Sequence, residues 1–297
     1  MDVVEISGIS KTFGQTKAVD DVSFEARAGE MLGMVGPNGA GKTTTMRILM
    51  DIIRPDSGEV RVLGQLPADA TKNRIGYLPE ERGLYRKLTV TETITYLSTL
   101  KMADPRAVAA RSEDLLTRLG MFPHRHKKIE ALSRGMGQII QFIVTVAHNP
   151  DLIVMDEPFS GLDPVNTRLI KSELLLLRER GKTIILSTHL MNDVEELCDR
   201  VLMIDKGRVV LYGGLTEVKQ KYRDNSILVQ ASALPKDLPG VTSRRQQGGC
   251  WELSLAPDTD PNVVLRYLLD NGSRVERFEL ATPSLNDIFI RVVEAGR

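Results

Sequence analysis

Short apolar stretches alternate with segments of helical periodicity over about the first 215 residues of the chain. Stretches rich in valine, isoleucine, leucine and methionine predict β-strands at Val3–Ile6, Val22–Glu25, Met31–Val35, Ile75–Leu78, Leu152–Met155, Thr183–Ser187, Val201–Asp205 and Arg208–Leu211. Leu32–Val35 and Leu152–Met155 are apolar throughout, which is typical of strands covered on both faces of a parallel sheet. The alternation therefore predicts an α/β fold with a largely parallel core sheet.

A block of helical periodicity interrupts this pattern between about residues 80 and 149. Its predicted helices span Thr89–Lys101, Arg106–Leu119 and Gly137–His148. No strand signal separates them. We interpret the block as a helical insertion in the α/β domain.

The α/β pattern starts again after about Gln220. Strands are predicted at Ile227–Gln230, Trp251–Leu255 and Arg274–Leu280, and helices that begin with proline at Pro261–Asp270 and Pro283–Glu294. We therefore expect two domains, residues 1–219 and a small α/β domain at residues 220–297. The sequence of the second domain contains no phosphate loop, metal cluster or nucleophile arrangement, so we assign it regulation or dimer contact, with Trp251 anchoring its core.

Composition narrows the classes of function. Lysine and arginine together number 39, as do aspartate and glutamate, so the formal net charge of zero argues against general attraction to nucleic acid or anionic lipid. Purely apolar runs such as Leu174–Leu177 are far shorter than the roughly 18 residues of a membrane-spanning helix. The acidic start lacks the features of a secretory signal, and Cys198 and Cys250 have no metal-like spacing. We expect a cytoplasmic protein.

A glycine-rich loop separates the apolar strand Met31–Val35 from the helical run Thr44–Met50. The loop has the pattern G-x-x-x-x-G-K-[ST] and consists of Gly36, Pro37, Asn38, Gly39, Ala40, Gly41, Lys42, Thr43 and Thr44. Between a strand and a helix, its backbone N–H groups converge on phosphate oxygens, and the helix start adds a positive dipole end. Lys42 would span the β- and γ-phosphates, and Thr43 would ligate Mg²⁺. The loop predicts binding of a nucleoside triphosphate.

Two acidic residues end the buried strand Leu152–Met155. Asp156 would hold Mg²⁺, and Glu157 would polarise an attacking water as a general base. A strand end can carry two acids by accident. Together with the phosphate loop, however, the pair predicts hydrolysis of the triphosphate.

A further motif makes the chain resemble the nucleotide-binding subunits of ABC transporters. These proteins carry an LSGGQ signature at a helix start, and the chain has Leu132-Ser133-Arg134-Gly135-Met136-Gly137-Gln138. Ser133 and Gly135 match the signature, whereas Arg134 and Met136 depart from it. Physically, the Ser133 hydroxyl and the N–H groups of the helix start form a second anion site, usable on a γ-phosphate presented by another subunit.

Three more matches follow the order of that family. The resemblance implies that Phe13 stacks on adenine, although a phenylalanine can equally belong to a core. Ser160-Gly161-Leu162-Asp163 is similar to the D-loop, in which Asp163 lies at the dimer seam, and His189 matches the switch histidine that contacts the γ-phosphate. Resemblance therefore implies an ABC cassette with a parallel core sheet, an antiparallel β subdomain and a helical insertion, joined to a small C-terminal α/β domain.

The Q-loop departs from the family pattern. Gly76-Tyr77-Leu78-Pro79-Glu80 places a glutamate where the family has glutamine, so Glu80 keeps an oxygen for Mg²⁺ or its water and adds negative charge beside the triphosphate. The segment GYLPEERGLY, the signature methionine and Pro283–Phe289 resemble the ABC-2 exporter branch.

The resemblance implies a complex of several subunits. Two copies pair head to tail, so that Lys42, Thr43 and Glu157 of one and Ser133 and Gly135 of the other hold each ATP. A homodimer needs no second kind of ATPase subunit, because this chain carries a residue at every catalytic position. A heterodimer stays an alternative. The partner at the cytoplasmic face of the membrane is a separate permease, and the sequence does not name the cargo.

Several alternatives stay open at this point. Leu84, Tyr85 and Leu88 either form a seat for a permease helix or pack within the helical insertion. The basic run at residues 124–128 either touches lipid headgroups or is a solvated loop. The rival functions are a soluble ABC ATPase acting on nucleic acid or ribosomes, and a P-loop kinase, which would lack the signature, the D-loop and the switch histidine.

Overall fold

Two units make up the chain, residues 1–215 and residues 216–297. The computed structural model describes residues 2–81, 83–247 and 249–295. The strands of the first unit are β1 (Asp2–Phe13), β2 (Thr16–Arg27), β3 (Met31–Val35), β4 (Ser57–Val62), β5 (Ile75–Leu78), β6 (Leu152–Asp156), β7 (Thr183–Thr188), β8 (Arg200–Asp205) and β9 (Arg208–Gly214). Its helices are α1 (Lys42–Leu49), α2 (Asp69–Lys72), α3 (Val90–Thr99), α4 (Pro105–Arg118), α5 (Arg134–Ala147), α6 (Pro164–Glu179) and α7 (Met191–Leu197), with 3₁₀ turns at Phe122–His124 and Ile129–Ala131.

A six-stranded sheet forms the centre of the first unit, in the order β5-β6-β7-β3-β8-β9. All neighbours are parallel except β8 and β9. Every residue of β3, β6 and β7 is buried, as expected for strands covered on both faces. The prediction of a largely parallel α/β core is confirmed, and its loops after β3, β6 and β7 meet at one edge of the sheet.

A separate antiparallel sheet has the order β2-β1-β4 and shares a hydrophobic core with the six-stranded sheet and α1. Strand β4 was not predicted because only Val60 and Val62 of its residues are buried. Gly58 in this strand has φ +90°, and a side chain there would lie 2.5 Å from the backbone of Gly8. Close packing of β4 on β1 therefore requires glycine at this position.

The helical insertion consists of α3, α4 and α5, which contact one another. Helix α5 begins at Arg134, three residues before the predicted start, because the Ser133 hydroxyl accepts a hydrogen bond of 3.2 Å from Met136 N. The predicted start was late because the glycines at the beginning of the helix contribute nothing to the apolar periodicity. Ser133 and Gly135 of the signature thus lie in the cap and first turn of α5.

The second unit contains α8 (Leu215–Lys221, which crosses the division), β10 (Ser226–Ala231), β11 (Val241–Gln247), β12 (Cys250–Leu255), α9 (Pro261–Asp270), β13 (Val275–Leu280) and α10 (Leu285–Ala295). Its antiparallel sheet has the order β11-β12-β10-β13. One face packs on α9 through the core residues Ile227, Val229, Leu253, Leu255, Val264 and Leu268, with Trp251 half-buried against them. The polar strand β11 was not predicted because it lacks an apolar alternation.

Within the described ranges, each helix is too short or too polar to cross a lipid bilayer.

Candidate nucleotide site

The loop between β3 and α1 is shaped by its glycines. Gly39 and Gly41 have φ values of +78° and +107°, and a side chain on Gly41 would lie 2.4 Å from Ala18 O. Only glycine allows this approach without strain. The loop therefore brings backbone N–H groups toward the first turn of α1, where Lys42 begins the helix.

Lys42 is buried at the base of this loop. Its Nζ donates hydrogen bonds to Gly36 O at 2.6 Å and to Pro37 O at 3.1 Å. Burial lowers the pKa of Lys42, and the negative charges of Glu157, Asp156 and Glu80, in that order, oppose the shift. These contributions show that the three carboxylates lie near the ammonium group.

An open cleft of about 520 Å³ lies in front of the loop. Ala18 and ten of the residues predicted from the sequence line it: Asn38, Gly39, Ala40, Gly41, Lys42, Thr43, Thr44, Glu80, Asp156 and Glu157. The volume lies in the range typical of small-molecule sites. Residues distant in the sequence are therefore assembled at the carboxyl ends of β3, β5 and β6, where ligands bind in open α/β sheets.

Asp156 and Ser187 end the neighbouring strands β6 and β7 and are register partners. The Ser187 hydroxyl donates to Asp156 Oδ1 at 2.5 Å. Asp156 Oδ2 is buried and, among the described residues, has no hydrogen-bond partner. A buried, unpaired carboxylate oxygen costs free energy unless a cation or donor occupies the position before it. The arrangement therefore fits a metal such as Mg²⁺.

Glu157 follows Asp156 with a φ of +51°, which is unusual for a residue other than glycine. Its backbone N–H donates to the Ser187 hydroxyl at 3.1 Å. Both carboxylate oxygens lie 3.1 Å from Nδ1 of His189, whose ring is half-exposed beyond β7. The unusual backbone turns Glu157 into the cleft and brings it to His189.

Six predicted site residues do not line this cleft: Gly36 and His189, described above, and Phe13, Ser133, Gly135 and Asp163. Phe13 is half-exposed near the β1–β2 turn, with Lys11 Nζ 5.8 Å from its ring centre. Ser133 caps α5, and a side chain on Gly135 would lie 3.8 Å from Gly161 O. Asp163 caps α6, and the hydrogen bond from Asn166 N is the main cause that lowers the pKa of Asp163. The signature and the D-loop are thus neighbours within one chain.

Sequence reasoning missed three residues that connect these loops. Ser187 was seen only as part of the segment before His189; its signal was a polar residue at the end of a buried strand. The amide of Gln138 donates to Pro158 O at 3.2 Å, and that of Gln141 to Pro79 O at 3.1 Å. Helix α5 therefore holds both the loop after β6 and the Q-loop. Gln141 gave no sequence signal, because a polar residue within an amphipathic helix is ordinary.

Comparisons with known proteins agree with this geometry. Residues 19–160 match the family described as ABC transporter, and residues 213–293 match the family described as ATP-binding protein DrrA1-3-like, C-terminal domain. The chain is also 36% identical to the uncharacterized ABC transporter ATP-binding protein YhaQ of Bacillus subtilis over 296 residues, 99% of both chains. The chain belongs to the ABC transporter ATP-binding proteins. The predicted family, ATPase activity and role as the energising subunit of a transporter are confirmed.

Similar proteins share nearly the whole length of the chain. It is 38% identical over 300 residues to the Nod factor export ATP-binding protein I of Rhizobium etli, covering 98% of this chain and 93% of that protein. A solved ATP binding subunit of an ABC transporter has 27% identity and a TM-score of 0.70, covering 74% of this chain and 93% of its own. The cassette fold is confirmed by this similarity.

Proposed function

We propose that this ATPase powers an ABC-2 type exporter by closing head to tail, with a second ATPase subunit, over ATP and Mg²⁺. The observation that carries the proposal is the division of its predicted residues. Lys42, Asp156 and Glu157 gather in one cleft, whereas Ser133 and Gly135 lie outside it. A site divided in this way is completed by a second subunit.

The phosphate loop binds the triphosphate. Backbone N–H groups from Gly36 to Thr44 cradle its oxygens, and the ammonium group of Lys42 exchanges the carbonyls of Gly36 and Pro37 for the β- and γ-phosphates. Phe13 stacks on the adenine ring, since an exposed aromatic ring offers a flat surface to a base.

Asp156, Thr43 and Glu80 hold Mg²⁺. Asp156 Oδ2 offers an oxygen that has no partner among the residues the structure describes, and Thr43 and Glu80 line the same cleft. The ion, when bound, supplies positive charge that neutralises the phosphate oxygens. All three residues provide the oxygen ligands that this cation prefers.

Glu157 acts as the general base of hydrolysis. Its carboxylate accepts a proton from a water molecule while the water oxygen bonds to the γ-phosphorus. The bond from that phosphorus to the bridging oxygen breaks, and ADP and inorganic phosphate form. His189 contacts Glu157 at 3.1 Å, so it orients this carboxylate and donates to a γ-phosphate oxygen.

A second subunit supplies the remaining contacts. The cap and first turn of α5 present Ser133 and Gly135 beside the D-loop, and Asp163 lies exposed at the start of α6. These groups meet the γ-phosphate held by the other chain, so ATP joins the two subunits and its hydrolysis releases them. A homodimer suffices because one chain carries both halves of the site.

A permease docks beside the Q-loop. Leu84 lines a hollow of about 240 Å³ with Leu97, Leu100 and Gln141, and the half-exposed ring of Tyr85 packs edge-on against Tyr96 at 5.3 Å. The hollow is largely apolar and borders Pro79, which precedes Glu80. It suits a short amphipathic helix from a membrane subunit, which places the ATPase at the cytoplasmic face of the membrane.

Export is supported by the similarity to the Nod factor export proteins and by the DrrA-like match. We assign ATP hydrolysis to residues 1–219, permease coupling to the helical part at about 80–149, and regulation or dimer contact to residues 220–297. Neither the similar proteins nor the neutral charge supports the alternative of a soluble ATPase acting on nucleic acid or ribosomes.

A variant that binds ATP without hydrolysing it tests this proposal. Glu157→Gln should form a dimer in ATP and Mg²⁺, detected by analytical ultracentrifugation, because ATP then persists at the interface. Adding Ser133→Arg should return it to monomer by blocking the second anion site. ATP turnover by a strictly monomeric wild-type chain, with a rate per molecule independent of protein concentration, would contradict the proposal.

A further inference from the structure

The second unit contains a cavity of about 600 Å³ on the face of its sheet that is turned away from α9. Side chains alternate along a strand, so Ile227 and Val229 enter the core with α9 while Leu228 faces the cavity. Helix α10 contributes a second wall through Asp287 and Arg291. The four-stranded sheet therefore buries one face and uses the other to line an open chamber.

Polar side chains are buried in the floor of this cavity. Ser226 and Cys250 are only 6% and 8% exposed. The Cys250 thiol donates to Gln230 Oε1 at 3.7 Å across the strand pair β10–β12. Leu228 adds an apolar side chain to the same lining. The floor thus combines apolar and hydrogen-bonding surface, as small-molecule sites do.

Three guanidinium groups reach the cavity from three elements. Arg277 of β13 pairs with Glu279 at 2.5 Å, and Arg291 of α10 pairs with Asp224 at 2.5 Å. Arg245 of the edge strand β11 lies directly across from Glu252 of β12. A guanidinium group binds a carboxylate by paired, charge-assisted hydrogen bonds, so a lining with three arginines suits a ligand that carries a carboxylate.

The charges around the cavity are balanced. Its lining includes three arginines, at positions 245, 277 and 291, and three carboxylates, Asp224, Glu252 and Asp287. The pKa of Arg291 is raised, first by the hydrogen bond to Asp224 and further by the charges of Asp287 and Glu252. Carboxylates and guanidinium groups are therefore interspersed, since Glu252 lies across from Arg245 and its charge also acts on Arg291.

We propose that this cavity binds a small zwitterion of the amino-acid class. The carboxylate of the ligand pairs with Arg245 and Arg277, and its ammonium group lies between Glu252 and Asp287. A purely anionic ligand would meet three carboxylates, and a purely cationic ligand three guanidinium groups, whereas a molecule with both charges finds an opposite charge for each of its own. Leu228 and the exposed Ile290 offer contact to an apolar side chain. The proposal does not depend on the assigned transport function.

Isothermal titration calorimetry on the full chain without nucleotide tests this site. The common L-amino acids are titrated one at a time, and L-leucine is compared with isoamylamine, which lacks the carboxylate, and with 4-methylpentanoate, which lacks the ammonium group. We expect one-to-one binding of at least one amino acid. Each leucine analogue should bind at least roughly tenfold more weakly than leucine. If another amino acid binds more tightly than leucine, its analogues without the carboxylate or the ammonium group should show the same loss of affinity.

Variants then locate the binding. Arg277→Gln and Arg245→Gln should each weaken it by roughly 10- to 100-fold, since each removes a charged hydrogen bond to the carboxylate. Arg245 is exposed on an edge strand, so its replacement should not disturb folding. Arg245→Gln therefore still tests the site if Arg277→Gln disturbs the domain. The controls Arg266→Gln, on the exposed side of α9, and Lys42→Ala, in the ATP cleft, should leave binding unchanged.

Three results would overturn the proposal. The first is the absence of heat with every amino acid. The second is equal binding of the analogue that lacks the ammonium group, which would indicate a simple anion site. The third is unchanged affinity in both Arg245→Gln and Arg277→Gln. Loss of binding in Lys42→Ala alone would place the ligand in the ATP cleft and would equally refute it.

Discussion

The hydroxyl of Ser187 donates a hydrogen bond of 2.5 Å to Asp156 Oδ1 and leaves Oδ2 of the same carboxylate buried without a partner among the described residues. Because the two residues are register partners on β6 and β7, the sheet itself sets the direction of the carboxylate. The same hydroxyl accepts a hydrogen bond from Glu157 N. One serine thus contacts the carboxylate of Asp156 and the backbone of Glu157.

Ser187→Ala should therefore weaken cation use more than folding. We expect the Mg²⁺ concentration for half-maximal ATP hydrolysis to rise by roughly tenfold, and the free energy of unfolding to fall by about 1–2 kcal/mol because Asp156 loses a buried partner. A magnesium titration and a urea denaturation measure these effects. The exposed Ser57→Ala serves as the control, and an unchanged magnesium requirement in Ser187→Ala would refute the positioning role.

Glu80 gives the cleft a third carboxylate, and its charge acts on Lys42. Glu80→Gln should strengthen ATP binding in EDTA by roughly fivefold, because it removes about 1 kcal/mol of repulsion from the triphosphate. With excess Mg²⁺ the gain should shrink, since Glu80 then contacts the ion or its water. Fluorescent ATP analogues measure both affinities.

Glu81→Gln is the matched control for this substitution, because Glu81 is the exposed neighbour and does not line the cleft. The Glu81 variant should bind ATP like the wild type in both conditions. Equal effects of the two substitutions would show that Glu80 acts only through the overall charge of the loop.

Lys42→Ala should abolish ATP retention while leaving the fold intact. Its Nζ is held by two backbone carbonyls, so the lysine is already directed into the loop before the triphosphate binds. We expect ATP affinity to fall by at least roughly 100-fold in equilibrium dialysis. The exposed Lys87→Ala should bind normally, and undiminished binding by Lys42→Ala would exclude the loop as the phosphate site.

Individual residues show which parts of the site could be predicted from the sequence. The order of the glycine-rich loop, Asp156 and Glu157 was sufficient to predict one cleft, because parallel strands bring their carboxyl ends to one edge. Ser187 and Gln141 were missed because their roles arise from neighbours that only the folded chain brings close. The apolar periodicity placed the start of α5 three residues too late, because a cap depends on a single hydrogen bond to Ser133, whereas the resemblance already put Ser133 at a helix start.

His148 follows α5 and is largely buried. Its Nε2 lies 3.2 Å from Ile75 O, and Nδ1 is buried without a partner within the described part of the chain. Burial is the first cause that lowers the pKa of His148 to about 4, and the positive charge of Lys101 adds to it. The folded protein therefore holds this imidazole neutral over a range in which the unfolded chain protonates it.

Acidification should consequently destabilise the protein through His148. The free energy of unfolding is lost as pH falls from about 6.5, the usual pKa of the unfolded group, toward 4, and about 2 kcal/mol should be gone by pH 5. Urea denaturation of wild type and His148→Gln at pH 7.5 and pH 5 measures this loss. The variant cannot titrate, so its loss of unfolding free energy should be smaller by that amount, whereas His126→Gln should behave like the wild type. Parallel losses in His148→Gln and wild type would mean that other groups cause the acid sensitivity.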